Sequence, residues 1–288
     1  MMKNFLHIIR WPNLLMVGGI QAIIYYVLLI TEDSRLSDVD FWVLALVTML
    51  IAASGYVIND YYDASIDQIN KPERWISGNT WSPATVRNVY FTLVGIGAIL
   101  SVWLSFRLEL VTWLFLYPFA VIGLWVYSFK LKCTPVIGNL WVASFCAGVV
   151  VIVVMPDWLL ENKQVIRNEL WIYVAFAFIA TCYREMIKDL EDEAGDRSDH
   201  CQTFVVRYGT FSGKIATVIL GVILLGALLW WHGGEQNKIL DFGLALLRGA
   251  VVGSLALVWW AKDNTYFHRA STVIKLVMLV GTGLLLII

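Results

Sequence analysis

Apolar runs and short polar breaks alternate along this chain from one end to the other. Nine runs reach the roughly 20 residues that a helix needs to cross a bilayer, at about 11–31, 41–62, 84–105, 109–128, 136–154, 168–189, 211–231, 241–261 and 270–288. The pattern predicts an all-α, polytopic membrane protein with nine transmembrane helices. The start of the fourth run is soft, because Arg107 and Glu109 leave only a very short connection behind the third. The first run is long and lacks a small-residue cleavage pattern, so it is expected to stay as a spanning helix. Two polar breaks are substantial, roughly 63–83 and 190–210, after the second and sixth runs. No linker or low-complexity tract interrupts the pattern, which reads as a single membrane domain over 1–288. With 59% hydrophobic and 15% charged residues in 288, the composition excludes a soluble globular protein.

The net charge of −1 says little, but the placement of Lys and Arg says more. With the N-terminus on one side, that side carries 14 basic residues and the other only 5. The positive-inside rule then puts the N-terminus and both long loops in the cytoplasm and the C-terminus outside. Arg248 and Lys275 fall inside runs, where snorkelling explains them better than catalysis. Tryptophans 75, 81, 158, 230, 231, 259 and 260 fall near run ends, as interfacial belts require. The four cysteines show no metal spacing; Cys133 and Cys201 lie near cytoplasmic loops and are expected to be reduced. Nothing calls for a nucleic acid, and no obligate protein partner is evident.

Two stretches at the ends of apolar runs repeat one carboxylate pattern. Asp60, Asp63 and Asp67 stand at i, i+3 and i+7, and so do Asp189, Asp192 and Asp196. On a helix that spacing stacks each triplet on one face. Carboxylates at helix ends are often solvated boundary residues, and one such cluster would invite that reading. Two of identical spacing on one membrane face do not, because six like charges repel unless something positive lies among them. A hard divalent cation fits oxygen ligands, and Mg2+ pairs one or two carboxylates with substrate phosphates. A secondary transporter would bury its acids near the midplane among broken helices; here they cluster at the membrane edge with lysines and arginines. The separation of 129 residues between Asp60 and Asp189 is what a duplicated helical half would produce.

The run Ser54-Gly55-Tyr56-Val57-Ile58-Asn59-Asp60-Tyr61-Tyr62-Asp63, continuing to Asp67, Asn70-Lys71-Pro72 and Arg74, resembles the first signature of the UbiA superfamily of intramembrane prenyltransferases. Arg184, Lys188, Asp189, Asp192, Gly195 and Asp196 resemble its second signature. The segment Tyr127 to Lys132 with Gly138-Asn139 is similar to the family's basic segment, and Arg10 and Asn13 stand where the family has Arg-x-x-Asn. One departure is the segment after Arg74, which reads Trp75-Ile76-Ser77-Gly78 where many members have Pro-Ile-Pro-Ser-Gly.

The resemblance implies nine helices around a central cavity under a cytoplasmic cap, and Mg2+-dependent transfer of a polyprenyl group from its diphosphate to a lipophilic acceptor. It implies Asp60, Asp63, Asp67, Asp189, Asp192 and Asp196 as metal ligands, with Asp60, Asp63, Asp189 and Asp192 catalytic. Asn13, Asn59, Arg74, Lys130, Lys132, Asn139, Arg184 and Lys188 are the implied substrate contacts. The run from Ile58 to Pro72 looks closest to the branch that alkylates a glycerol hydroxyl; the branches acting on aromatic quinone precursors and chlorophyll-type acceptors share much of it. His200 and Tyr208 are expected to be solvated loop residues rather than a general base.

Overall fold

Four of the long helices begin where the sequence supplies a side-chain cap. The computed structural model describes residues 2–29, 36–70, 76–159, 168–231 and 237–287. Ser37 accepts from the Asp40 amide at 3.3 Å to open α3 (Asp38–Tyr62), and Ser82, followed by Pro83, accepts from Thr85 at 3.2 Å to open α5 (Pro83–Arg107). Asn237 opens α12 (Lys238–Trp259) and Asp263 opens α13 (Asn264–Leu284) in the same way. The other helices are α1 (Met2–Ile8), α2 (Trp11–Ile23), α4 (Ala64–Asn70), α6 (Trp113–Phe129), α7 (Ile137–Leu159), α8 (Asn168–Glu191), α9 (Glu193–Ser198), α10 (Phe204–Tyr208) and α11 (Thr210–Trp230). A π-helical segment, Ile24–Leu29, extends α2.

Among the described residues, eight helices are long and apolar enough to span a membrane, and no strand is present. Eight of the nine expected spans reach that length; the fourth, α6, is an apolar helix of 17 residues that contains Pro118. Its late start has a local cause. Glu109 takes a left-handed φ of 57°, and Ser105 clasps Leu110, its carbonyl accepting from the Leu110 amide at 3.0 Å and its hydroxyl donating to the Leu110 carbonyl at 2.8 Å. Residues 109–112 therefore turn rather than helix.

Two compact units are present, Met1–Leu131 with Val149–Ile166, and Lys132–Gly148 with Arg167–Ile288. In the first, α3 packs on α2, α5 and α6. Ile8, Ile9, Leu14, Val57, Ile58, Val86 and Tyr90 form a core directly beside the first aspartate motif. Small residues permit close approach: a Cβ on Gly97 would lie 2.6 Å from the Tyr117 hydroxyl, which donates to the Val94 carbonyl at 2.6 Å. Mid-helix Gln21 is fully buried and donates to Thr48 at 3.2 Å and the Val149 carbonyl at 3.1 Å.

In the second unit, α8 packs on α11 and α13, and α12 on α11 and α13. Buried hydroxyl pairs cross these helices, Tyr173 to Thr282 at 2.6 Å and Tyr183 to Ser254 at 2.8 Å. Such bonds satisfy polar groups that lipid cannot. Arg248, expected to snorkel, donates from Nε to the Leu228 carbonyl at 3.2 Å. Trp158, Trp230, Trp259 and Trp260 are exposed at helix ends, whereas Trp231 is buried against Phe176 and is no interfacial residue.

Candidate active site

Both aspartate motifs are built in the same way. In the first, α3 runs to Tyr62, Asp63 leaves the helix with φ −87° and ψ 6°, and α4 resumes at Ala64. In the second, α8 runs to Glu191, Asp192 leaves with φ −93° and ψ 4°, and α9 resumes at Glu193. The polar break expected from 63 opens there, with Asp63 outside α3, and the one expected from 190 opens at Asp192; both aspartates lie in the bridge region where active-site residues often sit. The hydrogen-bond ladder still crosses each break. Asp63 donates to the Asn59 carbonyl and Asp67 to that of Asp63, both at 2.8 Å; Asp192 donates to Lys188 at 2.8 Å and Asp196 to Asp192 at 3.1 Å. Each triplet stays on a nearly helical path, and each middle aspartate gains freedom from regular helix geometry.

In the first unit, Asp60 and Asp63 are held by neighbours. Arg10 Nη2 donates to Asp60 Oδ1 at 2.8 Å, and the guanidinium lies 4.9 Å from the centre of the Tyr56 ring. Desolvation works against the Arg10 charge, but Asp60 outweighs it and holds the guanidinium above its ordinary pKa. Arg10 itself has a left-handed φ of 51°, and its carbonyl accepts from the Asn13 amide at 2.8 Å. Asn13 thus braces the Arg10 turn through its backbone. Asn59 Nδ2 donates to Asp63 Oδ2, and Asp63 is buried. Asp67 is half-buried, and Lys130 is exposed at the end of α6. Tyr61 packs edge-on against Tyr62, and Tyr62 against Phe129. Arg74 and Trp75 lie outside the described residues.

In the second unit, Asn139, in the first turn of α7, donates from Nδ2 to Asp189 Oδ2 at 3.0 Å. Arg184 and Lys188, expected on the diphosphate, both pair with Glu185, at 3.0 and 3.3 Å. Asp192 is half-buried and Asp196 buried. The Asp196 carbonyl accepts from the Cys201 amide at 2.9 Å. His200 and Tyr208 are exposed, as expected, with Tyr208 at the end of α10 rather than in a loop. Glu191 pairs with His268 at 2.8 Å, and Glu193 with Arg197 at 2.7 Å.

The expectation of reduced loop thiols is overturned. Cys133 and Cys201 form a disulfide, with their Cα atoms 4.6 Å apart, while Cys146 and Cys182 are free. The compartment argument predicted thiols, but the fold brings these two within bridging distance. Two further residues went unremarked as partners: Arg10 as the counter-ion of Asp60, and Glu185 as the anchor of Arg184 and Lys188. The only sequence signal for Glu185 is its position one helical turn before Asp189.

The donor chemistry fits Mg2+. Every side chain offered by the two triplets is a hard carboxylate oxygen, flanked by the amides of Asn59 and Asn139. Among the described residues no three His, Cys, Asp or Glu side chains converge tightly enough to hold an ion unaided.

Comparison with known proteins gives a consistent picture. The model of the UbiA prenyltransferase family matches residues 21–278. The digeranylgeranylglyceryl phosphate synthase of Methanobrevibacter smithii is 32% identical over 285 residues, covering 97% of this chain and 95% of that protein. Among solved structures, a UbiA homologue of Aeropyrum pernix K1 superposes with a TM-score of 0.69 at 16% identity, over 94% of this chain and 97% of that one. A UbiA homologue of Archaeoglobus fulgidus, bound to GPP and Mg2+, gives 0.62 at 13% identity, over 98% of this chain and 99% of that one. At these identities the solved structures speak for the fold.

Proposed function

The chain belongs to the UbiA prenyltransferase family, and from that premise we propose that it transfers a geranylgeranyl group from its diphosphate to the free hydroxyl of a geranylgeranylated glycerol phosphate. The donor half of this reading is carried by the two identically built aspartate motifs. The acceptor half is supported by the near full-length match to the M. smithii synthase. Transfer breaks the allylic C–O bond to diphosphate and forms an ether C–O bond, and the hydroxyl proton departs.

Asp60, Asp63, Asp67, Asp189, Asp192 and Asp196 are the oxygen donors that would hold Mg2+. Bound there, the ion supplies positive charge that neutralises the departing diphosphate. Asn59 and Asn139 keep Asp63 and Asp189 from rotating, so that Asp60, Asp63, Asp189 and Asp192 act as the catalytic carboxylates. Arg74, Lys130, Lys132, Arg184 and Lys188 bind the phosphates, and Asn13 braces the Arg10 turn beside Asp60. Arg10 offsets the Asp60 charge before substrate arrives. The apolar helices exclude water from the allylic cation, and aromatic faces such as Tyr61 and Tyr62 can shelter it.

The finer architecture belongs to the same reading: a single functional domain, α6 as a ninth crossing, a central cavity under a cytoplasmic cap, and the C-terminus outside. The test is purified protein in detergent with geranylgeranyl diphosphate, with and without Mg2+, offered a geranylgeranylated glycerol phosphate, an aromatic quinone precursor and a chlorophyll-type acceptor. Mass spectrometry should find the ether, formed only with Mg2+. Product from an aromatic acceptor alone would overturn the acceptor assignment, and no product from any would overturn the whole.

A further inference from the structure

The Cys133–Cys201 disulfide takes no part in the chemistry above, yet it lies against the residues that do. Cys133 ends the 3-10 turn Leu131–Cys133 ahead of α7, beside Lys132. Cys201 follows α9 and is buried, 1% exposed, and its amide donates to the carbonyl of Asp196, itself 2% exposed. Two fasteners therefore join the same two segments of the second unit. The disulfide ties residue 133 to residue 201, and the 3.0 Å bond from Asn139 to Asp189 ties their other ends.

The backbone between the fasteners holds two uncommon conformations. Val136 has φ 67° and His200 has φ 58°, both in the left-handed region. For a β-branched residue such as Val136 that conformation is an outlier, which persists only where the surroundings over-determine it. Val136 stands between the disulfide and the Asn139–Asp189 bond, and these two constraints provide that determination. Strain held in this way concentrates at functional sites.

We propose that the Cys133–Cys201 disulfide is a positioning device for the second aspartate motif. It seats the Asn139 amide on Asp189 and pins the segment from Asp192 to Cys201, so that these carboxylates meet a divalent cation and the diphosphate in one geometry. The inference rests on the Mg2+–diphosphate reading of the motif. Groups that orient metal ligands without touching the metal change its affinity 10–100-fold. Opening the disulfide leaves the Asn139–Asp189 bond able to re-form, so the expected loss is about tenfold, the low end of that range.

The test uses the full chain in detergent. Alkylation of unreduced, denatured protein should label two of the four cysteines. A dithiol breaks the S–S bond, delivers two electrons and two protons to give two thiols, and is itself oxidised to its cyclic disulfide; all four should then label. Mn2+, a paramagnetic substitute for Mg2+, is next titrated by electron paramagnetic resonance with oxidised protein, dithiol-reduced protein and Cys133→Ser. Opening the bond should weaken Mn2+ binding about tenfold and raise KM for the prenyl diphosphate, while KM for the acceptor stays unchanged. Should Cys133→Ser fail to fold, the reduced wild type reads the same quantities. Four labelled thiols before reduction, equal Mn2+ affinity in the two states, or a matching rise in both KM values would overturn the proposal. If oxidised protein binds Mn2+ and responds to reduction but makes no prenyl product, the proposed reaction fails and the positioning role stands.

Discussion

Replacing Asn139 by alanine isolates one bond to one carboxylate. Asn139 Nδ2 donates to Asp189 Oδ2 at 3.0 Å, and α7 carries the donor while α8 carries the acceptor. A hydrogen bond to a charged group contributes about 1.5–3 kcal/mol. At roughly 1.4 kcal/mol per factor of ten, losing it should cost between about tenfold and about a hundredfold. That agrees with the 10–100-fold seen when groups orienting metal ligands are removed. The assay is the initial rate of diphosphate release against Mg2+ concentration. Asn139→Ala should raise half-saturating Mg2+ by that factor, or lower kcat/KM for the prenyl diphosphate by the same factor at saturating Mg2+. In an Asp189→Asn background the substitution should cost little, because the charge it served is gone. A change below about threefold in the wild-type background, or an equal effect in both backgrounds, would show that Asn139 does not act through Asp189.

Asp63→Ala and Asp192→Ala should each leave less than about a tenth of wild-type turnover in protein that still inserts and folds, a barrier change above roughly 1.4 kcal/mol; retention of more would remove these residues from the cation site. An impermeant thiol reagent should label Asn79→Cys, exposed in the first long loop, only from the cytoplasmic face, and Val111→Cys only from outside; the reverse pattern would refute the orientation drawn from charge bias. Gly97→Ala places a methyl 2.6 Å from the Tyr117 hydroxyl and should destabilise the first unit by about 1–3 kcal/mol, read as a lowered thermal midpoint; an unchanged midpoint would mean that Tyr117 gives way freely.

What could be read from the chain divides along the reach of the forces involved. A spanning helix is a local property: some 20 apolar residues must satisfy their own backbone in lipid, so the runs predict the helices with ends off by up to about six residues. Where the prediction slips, at α6, the cause is a single clasp between Ser105 and Leu110, and composition does not reveal it. The repeated i, i+3, i+7 spacing was legible for the same local reason, since helix periodicity alone places those carboxylates together. That Asp63 and Asp192 fall beyond the apolar runs was legible, because the polar breaks open there; that helix resumes at Ala64 and Glu193 was not, because such short polar helices carry no apolar period.

Partners were legible only when they stood on the same helix or within a known motif. Asn59 is four residues from Asp63 and was named with it; Arg10 and Asp60 are 50 positions apart, as are Asn139 and Asp189. For the latter pair the family pattern named both residues without joining them. Cys133 and Cys201 went furthest astray, because a separation of 68 residues carries no pairing signal and the compartment argument pointed the other way. These long-range contacts share a physical role. Each puts a donor, a cation or a covalent tie against a motif whose repeated side chains are all carboxylates. A cluster of carboxylates repels itself when no divalent cation is bound, so an apo site must be held by groups from elsewhere in the fold. Arg10 holds the first motif, Asn139 and the disulfide the second, and substitutions at these positions should therefore be felt most strongly at low Mg2+.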